Sequence, residues 1–513
     1  MTELADSVKR AEGPSTADGP DSSSPGQRQS DDVIDIGRDA LELFHDEQER
    51  PHARRREGGP RGAFKIPSRE CRRLLQRGYR EEFGRYPSPQ ALTTGMDALA
   101  AEAVHEGPEE KVFLRVGGDT RQVLFNLADD AGRVVEAARD GWRVRSSAAV
   151  QFARRETIQA VPAPREGGSL DLLREFINVE TEEDFILLVS WLVMTLCPSG
   201  PYPVLILQGE QGSAKSTASR VMKALADPVA APVRSAPTGL RDLAVAAESN
   251  WVLVFDNLSG LPPWLSDAIC RLSTGGGFGT RALYTDDEER VFDQMRPVIL
   301  NGIDGVATRQ DLLDRAIVVR LPKIPDGEYV AEATFWTRFE AARPQILGAL
   351  FDGVSHAVDH LHDADAIASP RMADFARWAS AAAPRFGWTP DAFITAYEDN
   401  RATALRLSLD GSIVASKLDD WLREQRGSWE GTPTQLHGLL KQRVAPDQLR
   451  RFPANAQALS RHLTLLAPAL RTEGISVEFT HLGRGKEKMR WLKIMDAESG
   501  TEGTEGTQEV ESS

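Results

Sequence analysis

The apolar run VLILQ at 204–208 passes without a break into Gly209-Glu210-Gln211-Gly212-Ser213-Ala214-Lys215-Ser216-Thr217, and that loop passes directly into ASRVMKAL. A wholly apolar strand, a glycine turn and a helix in immediate succession restrict the fold sharply, because such a strand must be covered on both faces by helices. The glycines let the backbone bend until its N–H groups line a concave surface, and the helix N-terminus adds unsatisfied N–H groups of its own. In a loop of this kind the amides surround phosphate oxygens, the lysine reaches the β- and γ-oxygens and the next hydroxyl ligates Mg²⁺. Gly209 to Thr217 are therefore predicted to bind ATP, with Lys215 on the phosphates and Ser216 on Mg²⁺. The glycine usual before the lysine is Ala214 here, whose methyl is expected to be tolerated with a negative φ.

Further β-rich runs follow at 251–255 (WVLVF), 298–300 (VIL) and 316–321 (AIVVRL), alternating with helical segments. This alternation predicts an α/β fold, a P-loop NTPase core of AAA+-like type with a parallel sheet over 201–325. Asp256 ends the second run, 41 residues after Lys215, and is the second Mg²⁺ candidate. Asn257 follows it where many such ATPases carry a glutamate, which leaves the catalytic base unassigned. Asn301 ends the third run, where a polar side chain can orient water beside the γ-phosphate. Arg315 precedes the fourth, where an arginine can reach a neighbouring subunit's γ-phosphate. Lys215, Asp256, Asn301 and Arg315 are the catalytic candidates.

Loop, Asp strand, Asn strand and arginine succeed one another within about 110 residues, carried by GEQGSAKST, WVLVFDN, LSTGGGFGTRALYTDDEE (272–289), PVILNGI and LLDRAI. This constellation resembles superfamily 3 helicases, particularly the poxvirus-type and phage or plasmid primase-helicases. It is also similar to actinobacterial mobile-element ATP-binding proteins. The resemblance is specific over about 120 residues and extends in architecture over 170–495. It implies that Arg281 and Tyr284 correspond to a basic and an aromatic residue on a pore-facing, DNA-contacting element. It implies equally a self-associating protein, a hexamer, whose subunits complete one another's sites through Arg315. Residues 33–165 show no primase site, since Asp129-Asp130 and the acids from Glu180 to Asp184 make no metal triad.

Charge locates a second DNA contact. The formal net charge is −15, yet residues 1–32 contribute −4 and residues 496–513 contribute −6. Within the remainder, residues 50–85 hold twelve Lys/Arg against four acids and residues 441–493 hold eleven against four, as a nucleic-acid contact in an acidic protein would. In the latter segment Thr432-Pro433-Thr434-Gln435 and Asn455 start helices, and ISVEFTH and KEKMRWLKI follow as strands around LGRG. That order predicts a C-terminal winged helix. Arg484, Lys486, Lys488 and Arg490 fall at period two on one strand face and, with Arg461 on the preceding helix, are predicted to contact DNA phosphates.

The expected organisation is thus a disordered acidic tail (1–32), an N-terminal α/β accessory domain (33–165), a helical collar (166–200), the ATPase core (201–325), a helical subdomain (326–408), the winged helix (409–495) and a second disordered tail (496–513). Cys71, Cys197 and Cys270 are too scattered for a disulfide framework or a cysteine zinc site, and a reducing cytoplasm is the expected compartment. The apolar run at 185–197 has 13 residues, short of the about 20 that span a bilayer, so no membrane is expected as a partner. His356, His360 and His362 find no support elsewhere as metal ligands. The function expected is an ATP-dependent DNA translocase or helicase of superfamily 3 type, acting on single-stranded or forked DNA in replication of a phage, plasmid or integrated mobile element. The alternative, which Asn257 favours, is a nucleotide-gated DNA-binding switch or loader that does not unwind, in plasmid maintenance or phage defence. A small-molecule kinase would have no use for the C-terminal modules.

Overall fold

The computed structural model describes residues 25–57, 62–281, 289–302, 309–366, 371–410, 412–424, 428–450, 452–482 and 489–496. Two compact units divide the chain, residues 1–112 and residues 113–513.

In the first unit the helix Pro25–Ala40 leads into an antiparallel sheet of Leu41–His45, Pro51–Arg55 and Phe64–Lys65, followed by helices Arg69–Phe83 and Pro89–His105. The local chemistry accounts for the last two. Ser68 accepts the Cys71 N–H and Gly84, at φ 68°, ends the first; Ser88 accepts the Ala91 N–H and Pro89 opens the second. Val33, Leu41, Phe64, Leu75, Tyr79 and Leu99 form the core. The first helix starts inside the segment expected to be a disordered tail, because Val33 and Ile36 are buried against this core.

The second unit opens with an antiparallel meander of Val116–Gly118, Gln122–Asn126, Val134–Ala138 and Gly141–Arg145. The expected accessory domain is therefore divided at 112/113, and Arg115 shows why. Its fully buried guanidinium bonds to Asp227, Asn126 O, Gln159 O and Pro228 O. These bonds attach the meander to the segment following the helix Lys215–Ala226.

The central sheet is parallel, with strands in the order Leu253–Leu258, Val298–Gly302, Val204–Gln208, Ala316–Arg320. An α/β chain with a parallel sheet is what the apolar runs predict. The strand carrying Asn301 is inserted between the loop strand and the Asp strand, in register Leu207 with Asn301 and Phe255 with Leu300. All four strands end at one edge, where open α/β sheets place their ligands. Apolar residues from Phe185 to Thr195 are buried in the helix Glu182–Thr195, and no helix among the described residues is long and apolar enough to cross a membrane.

Helices Glu332–His360, Ala373–Ala382 and Pro390–Asp410 follow the sheet. The chain then runs helix Ile413–Glu424, strand Ser428–Gly431, helices Pro433–Lys441 and Ala456–Thr472, and strands Ile475–Leu482 and Met489–Asp496. Thr432 and Gln435 form a reciprocal capping box, and Asn455 caps the helix Ala456–Thr472. The strand Ser428–Gly431, absent from the sequence reading, pairs with Met489–Asp496. Its four residues are too few and too polar to show an alternating pattern.

A buried ionic cluster secures the far end of the loop helix. Lys223 Nζ donates to Asp227 Oδ2 at 2.7 Å and to Val252 O at 2.5 Å, Arg115 Nε donates to Asp227 Oδ1 at 3.2 Å, and the N–H groups of Trp251 and Val252 donate to Oδ2. Burial alone would raise the Asp227 carboxyl, but Lys223 and Arg115 outweigh it and hold it below the usual carboxylate range. Asp227→Ala leaves two buried cations unpaired and is expected to lower stability by about 3–5 kcal/mol in chemical denaturation. A carboxyl lowered by folding contributes stability that is complete above its unfolded value, near 3.9, and lost as pH falls through the folded one. The difference between parent and variant should therefore shrink in acid. A constant difference from pH 7 to pH 3 would refute the ionic account.

Candidate functional site

The loop between the strand Val204–Gln208 and the helix Lys215–Ala226 turns through three left-handed residues, Gly209 (φ 150°), Gly212 (φ 89°) and Ala214 (φ 61°). A Cβ at Gly209 would lie 2.4 Å from Leu321 O, so only glycine fits there. Ala214 corrects the expectation of a negative φ. It is the N-cap of the helix, makes no side-chain cap, and takes up the reversal that glycine would perform without strain, at a cost of about 1–2 kcal/mol.

The helix N-terminus consequently opens onto the loop with its first N–H groups uncapped by a side chain. Lys215 folds back over the loop, with Nζ donating to Gly209 O and Glu210 O at 2.7 Å each and to Ser213 Oγ at 3.3 Å. Ser213 is wholly buried and donates to Glu210 O at 2.9 Å. Ser216 Oγ donates to Asp256 Oδ1 at 3.0 Å. An ammonium, a hydroxyl and a carboxylate thus converge from the loop and from the second strand.

Asn301 is buried and spans both. Its Nδ2 donates to Ser219 Oγ on the loop helix and its Oδ1 accepts the Asn257 N–H, each at 2.9 Å. Asn257 itself sits at φ 57°. The amide of Asn301 therefore holds the chain beyond Asp256 in a conformation that asparagine tolerates better than most residues.

These groups line a cleft of about 970 Å³, large enough for a nucleotide-sized ligand. A further part of its wall is formed by Arg174, Asn178, Arg220, Tyr329 and Trp336, residues that sequence reasoning did not assign to a ligand site. Asn178 Nδ2 donates to Pro322 O at 2.6 Å. The Arg220 guanidinium lies 4.6 Å from the Trp336 ring centroid and pairs with Glu332 at 2.7 Å. The Tyr329 hydroxyl reaches Gly212 O at 3.4 Å. No motif announces this wall, because it is assembled from distant segments; the nearest signal was Arg220 itself, on the loop helix. Uncapped amides, cationic side chains and aromatic rings lining one cleft suit a ligand that is both anionic and planar.

Arg315 is elsewhere. Its Nη1 donates to Asp311 O at 2.8 Å, and its carbonyl accepts the Val204 N–H at 2.9 Å. It thus stands where the loop strand begins, roughly 16 Å from where the loop departs, and the structure does not bring it to the loop of its own chain.

Of the expected DNA contacts, Arg461 is exposed on the helix Ala456–Thr472. Arg281 ends the strand Phe278–Arg281, opposite Glu289 in an antiparallel pair, and Arg490 stands in Met489–Asp496 opposite His481. Tyr284, Arg484, Lys486 and Lys488 lie outside the described residues.

Residues 170–398 match the family model of the actinomycete integrative conjugative element replication protein, and residues 414–507 match that of the C-terminal domain of the same family. No curated protein matches the chain. Among solved structures, the apo C-terminal region of NrS-1 aligns with a TM-score of 0.39 at 10% identity, over 88% of this chain and 96% of that one. A JCV helicase bound to a synthetic acetamide aligns with a TM-score of 0.23 at 12% identity, over 33% and 54%. Both likenesses are slight.

Proposed function

We propose, for a chain matched along most of its length by the replication-protein family of actinomycete integrative conjugative elements, that it is an ATP hydrolase driving DNA translocation or unwinding in the manner of superfamily 3 helicases. The observation that carries this reading is the 3.0 Å bond from Ser216 to Asp256, beside Lys215 and an uncapped helix N-terminus in one cleft. A hydroxyl and a carboxylate in contact are the hard oxygen donors that suit Mg²⁺ alongside phosphate. Ser216 and Asp256 would hold the ion, which when bound helps to neutralise the phosphate oxygens. The amides of Gly209 to Thr217 would receive the β- and γ-phosphates, with Lys215 exchanging loop carbonyls for phosphate oxygens. Asn301 would fix the position of Asn257 and the water beside it, and Arg315 would serve a neighbouring subunit, as in a hexamer.

The C-terminal order of helix, strand, helix, helix, strand, strand supports a winged helix that holds DNA phosphates through Arg461, Arg484, Lys486, Lys488 and Arg490, with Arg281 and Tyr284 facing a translocating strand. A specific observation keeps a second reading in view. The residue after Asp256 is an amide rather than a carboxylate, which favours slow hydrolysis and a DNA-binding switch or loader. ATP turnover with and without single-stranded DNA, measured beside strand displacement on a forked substrate, separates them. DNA-stimulated turnover with displacement supports the motor, whereas slow turnover without displacement supports the switch. Absence of any turnover above a Lys215→Ala control would defeat both.

A further inference from the structure

The family matches begin at residue 170, beyond the first unit. Its most unusual surface is the outer face of the helix Arg69–Phe83. Arg69, Arg73, Arg77 and Arg80 are all exposed, and at 100° per residue they fall within about 80° of arc. The buried residues Cys71, Leu75 and Tyr79 occupy the opposite side. Successive positions of the stripe are about 4.5–6 Å apart along the axis.

At the C-terminal end of this stripe two aromatic side chains face solvent, Phe83 at 39% and Tyr86 at 58% exposure. The Phe83 ring packs on the buried Tyr79 with centroids 4.6 Å apart and leaves its other side to solvent. Gly84 turns the chain through a left-handed residue, and the buried Pro87 follows, so the Tyr86 ring is presented from a fixed turn. Arg80 holds it in place, with Nη1 donating to the Tyr86 hydroxyl at 2.8 Å and the guanidinium 5.4 Å from the ring centroid. Glu81, paired with Arg77 at 2.7 Å, flanks the stripe.

We propose that this face, Arg69, Arg73, Arg77 and Arg80 with Phe83 and Tyr86, binds single-stranded nucleic acid. The arginines would follow the phosphates and a base would stack on Tyr86. Cationic grooves that end in exposed rings bind unpaired strands because every base offers a π-face, whereas a duplex keeps its base faces covered and would engage the arginines alone. The basic excess of residues 50–85 supplies the long-range attraction.

The test uses the full chain and a short oligothymidylate carrying one iododeoxyuridine. Photocrosslinking followed by peptide mapping should place a crosslink in the segment containing Tyr86, competed by unlabelled single strand and not by duplex. Tyr86→Ala should lose that crosslink and weaken binding of the oligomer about tenfold, and Tyr86→Phe should keep both, since stacking does not need the hydroxyl. Changing Arg69, Arg73, Arg77 and Arg80 together to glutamine, which retains helix propensity, should reduce the salt slope of affinity by up to about 3, at about 0.7 per phosphate contact. An unchanged slope together with no crosslink near Tyr86 would overturn the proposal. Equal competition by duplex, or a Tyr86→Ala variant that binds like the parent, would overturn the single-strand assignment. Neither readout depends on ATP turnover, so failure here leaves the nucleotide cleft untouched.

Discussion

Lys215→Ala is expected to reduce ATP hydrolysis by about a hundredfold to a thousandfold. The ammonium is held by two loop carbonyls and a serine hydroxyl, bonds that phosphate oxygens can replace without moving the backbone. Removing it leaves the charge that develops between the β- and γ-phosphates uncompensated, in a cleft where one electrostatic donor is worth about 10²–10³ in rate. Arg220 cannot substitute, being engaged with Glu332 and Trp336. Asp256→Asn should be nearly as damaging although it preserves an acceptor for Ser216, because the amide carries no charge for a divalent ion. Its thermal stability should stay close to the parent's, and that comparison separates a lost ligand from a lost fold. Wild-type turnover in a pure Lys215→Ala sample would end the phosphate-loop reading, and a nearly silent Asp256→Asn would move the carboxylate elsewhere.

Arg315→Ala is expected to bind nucleotide normally and to hydrolyse it about 10³–10⁵ times more slowly, the range in which arginine fingers act. The side chain touches the helix carbonyl of Asp311 and does not line the cleft of its own chain, so affinity has no reason to change. Mixing provides a sharper reading. A Lys215→Ala subunit retains Arg315 and can serve a neighbour whose loop is intact and whose own arginine is missing, so the two inactive variants together should recover activity. No recovery under conditions where subunits demonstrably exchange would leave action between subunits without support.

What was legible in the sequence was what depends on immediate succession. VLIL, WVLVF, VIL and AIVVRL each bury in a strand of one sheet, and the loop residues, Asp256 and Asn301 reach the same cleft because each directly follows its apolar run. Strand order was not legible, since an apolar run does not say which neighbour it pairs with; the insertion of the Asn301 strand between the other two is a tertiary choice. Ala214 was misjudged because the loop's path, and not the residue's own preference, decides its φ. The aromatic and cationic wall of the cleft escaped notice for a related reason. Arg174, Arg220 and Trp336 are far apart in the chain and ordinary in their local context, and only packing makes them neighbours. The helix Pro25–Ala40 was hidden by its polar composition, in which Val33 and Ile36 are the aliphatic residues fully buried among sixteen.

The loop leaves the sheet at one edge and Arg315 enters it at the other. Should each edge serve a different neighbour, the contact between two subunits joins unlike surfaces, and symmetry then dictates the assembly. A two-fold pair does not meet that condition, because it gives both edges of a subunit to one and the same neighbour. Each subunit added head to tail presents the same unmatched edges as the one before, until rotation brings the last arginine to the first loop. An open chain of any length would always retain one incomplete site, so closure into a ring is the arrangement in which every site is complete.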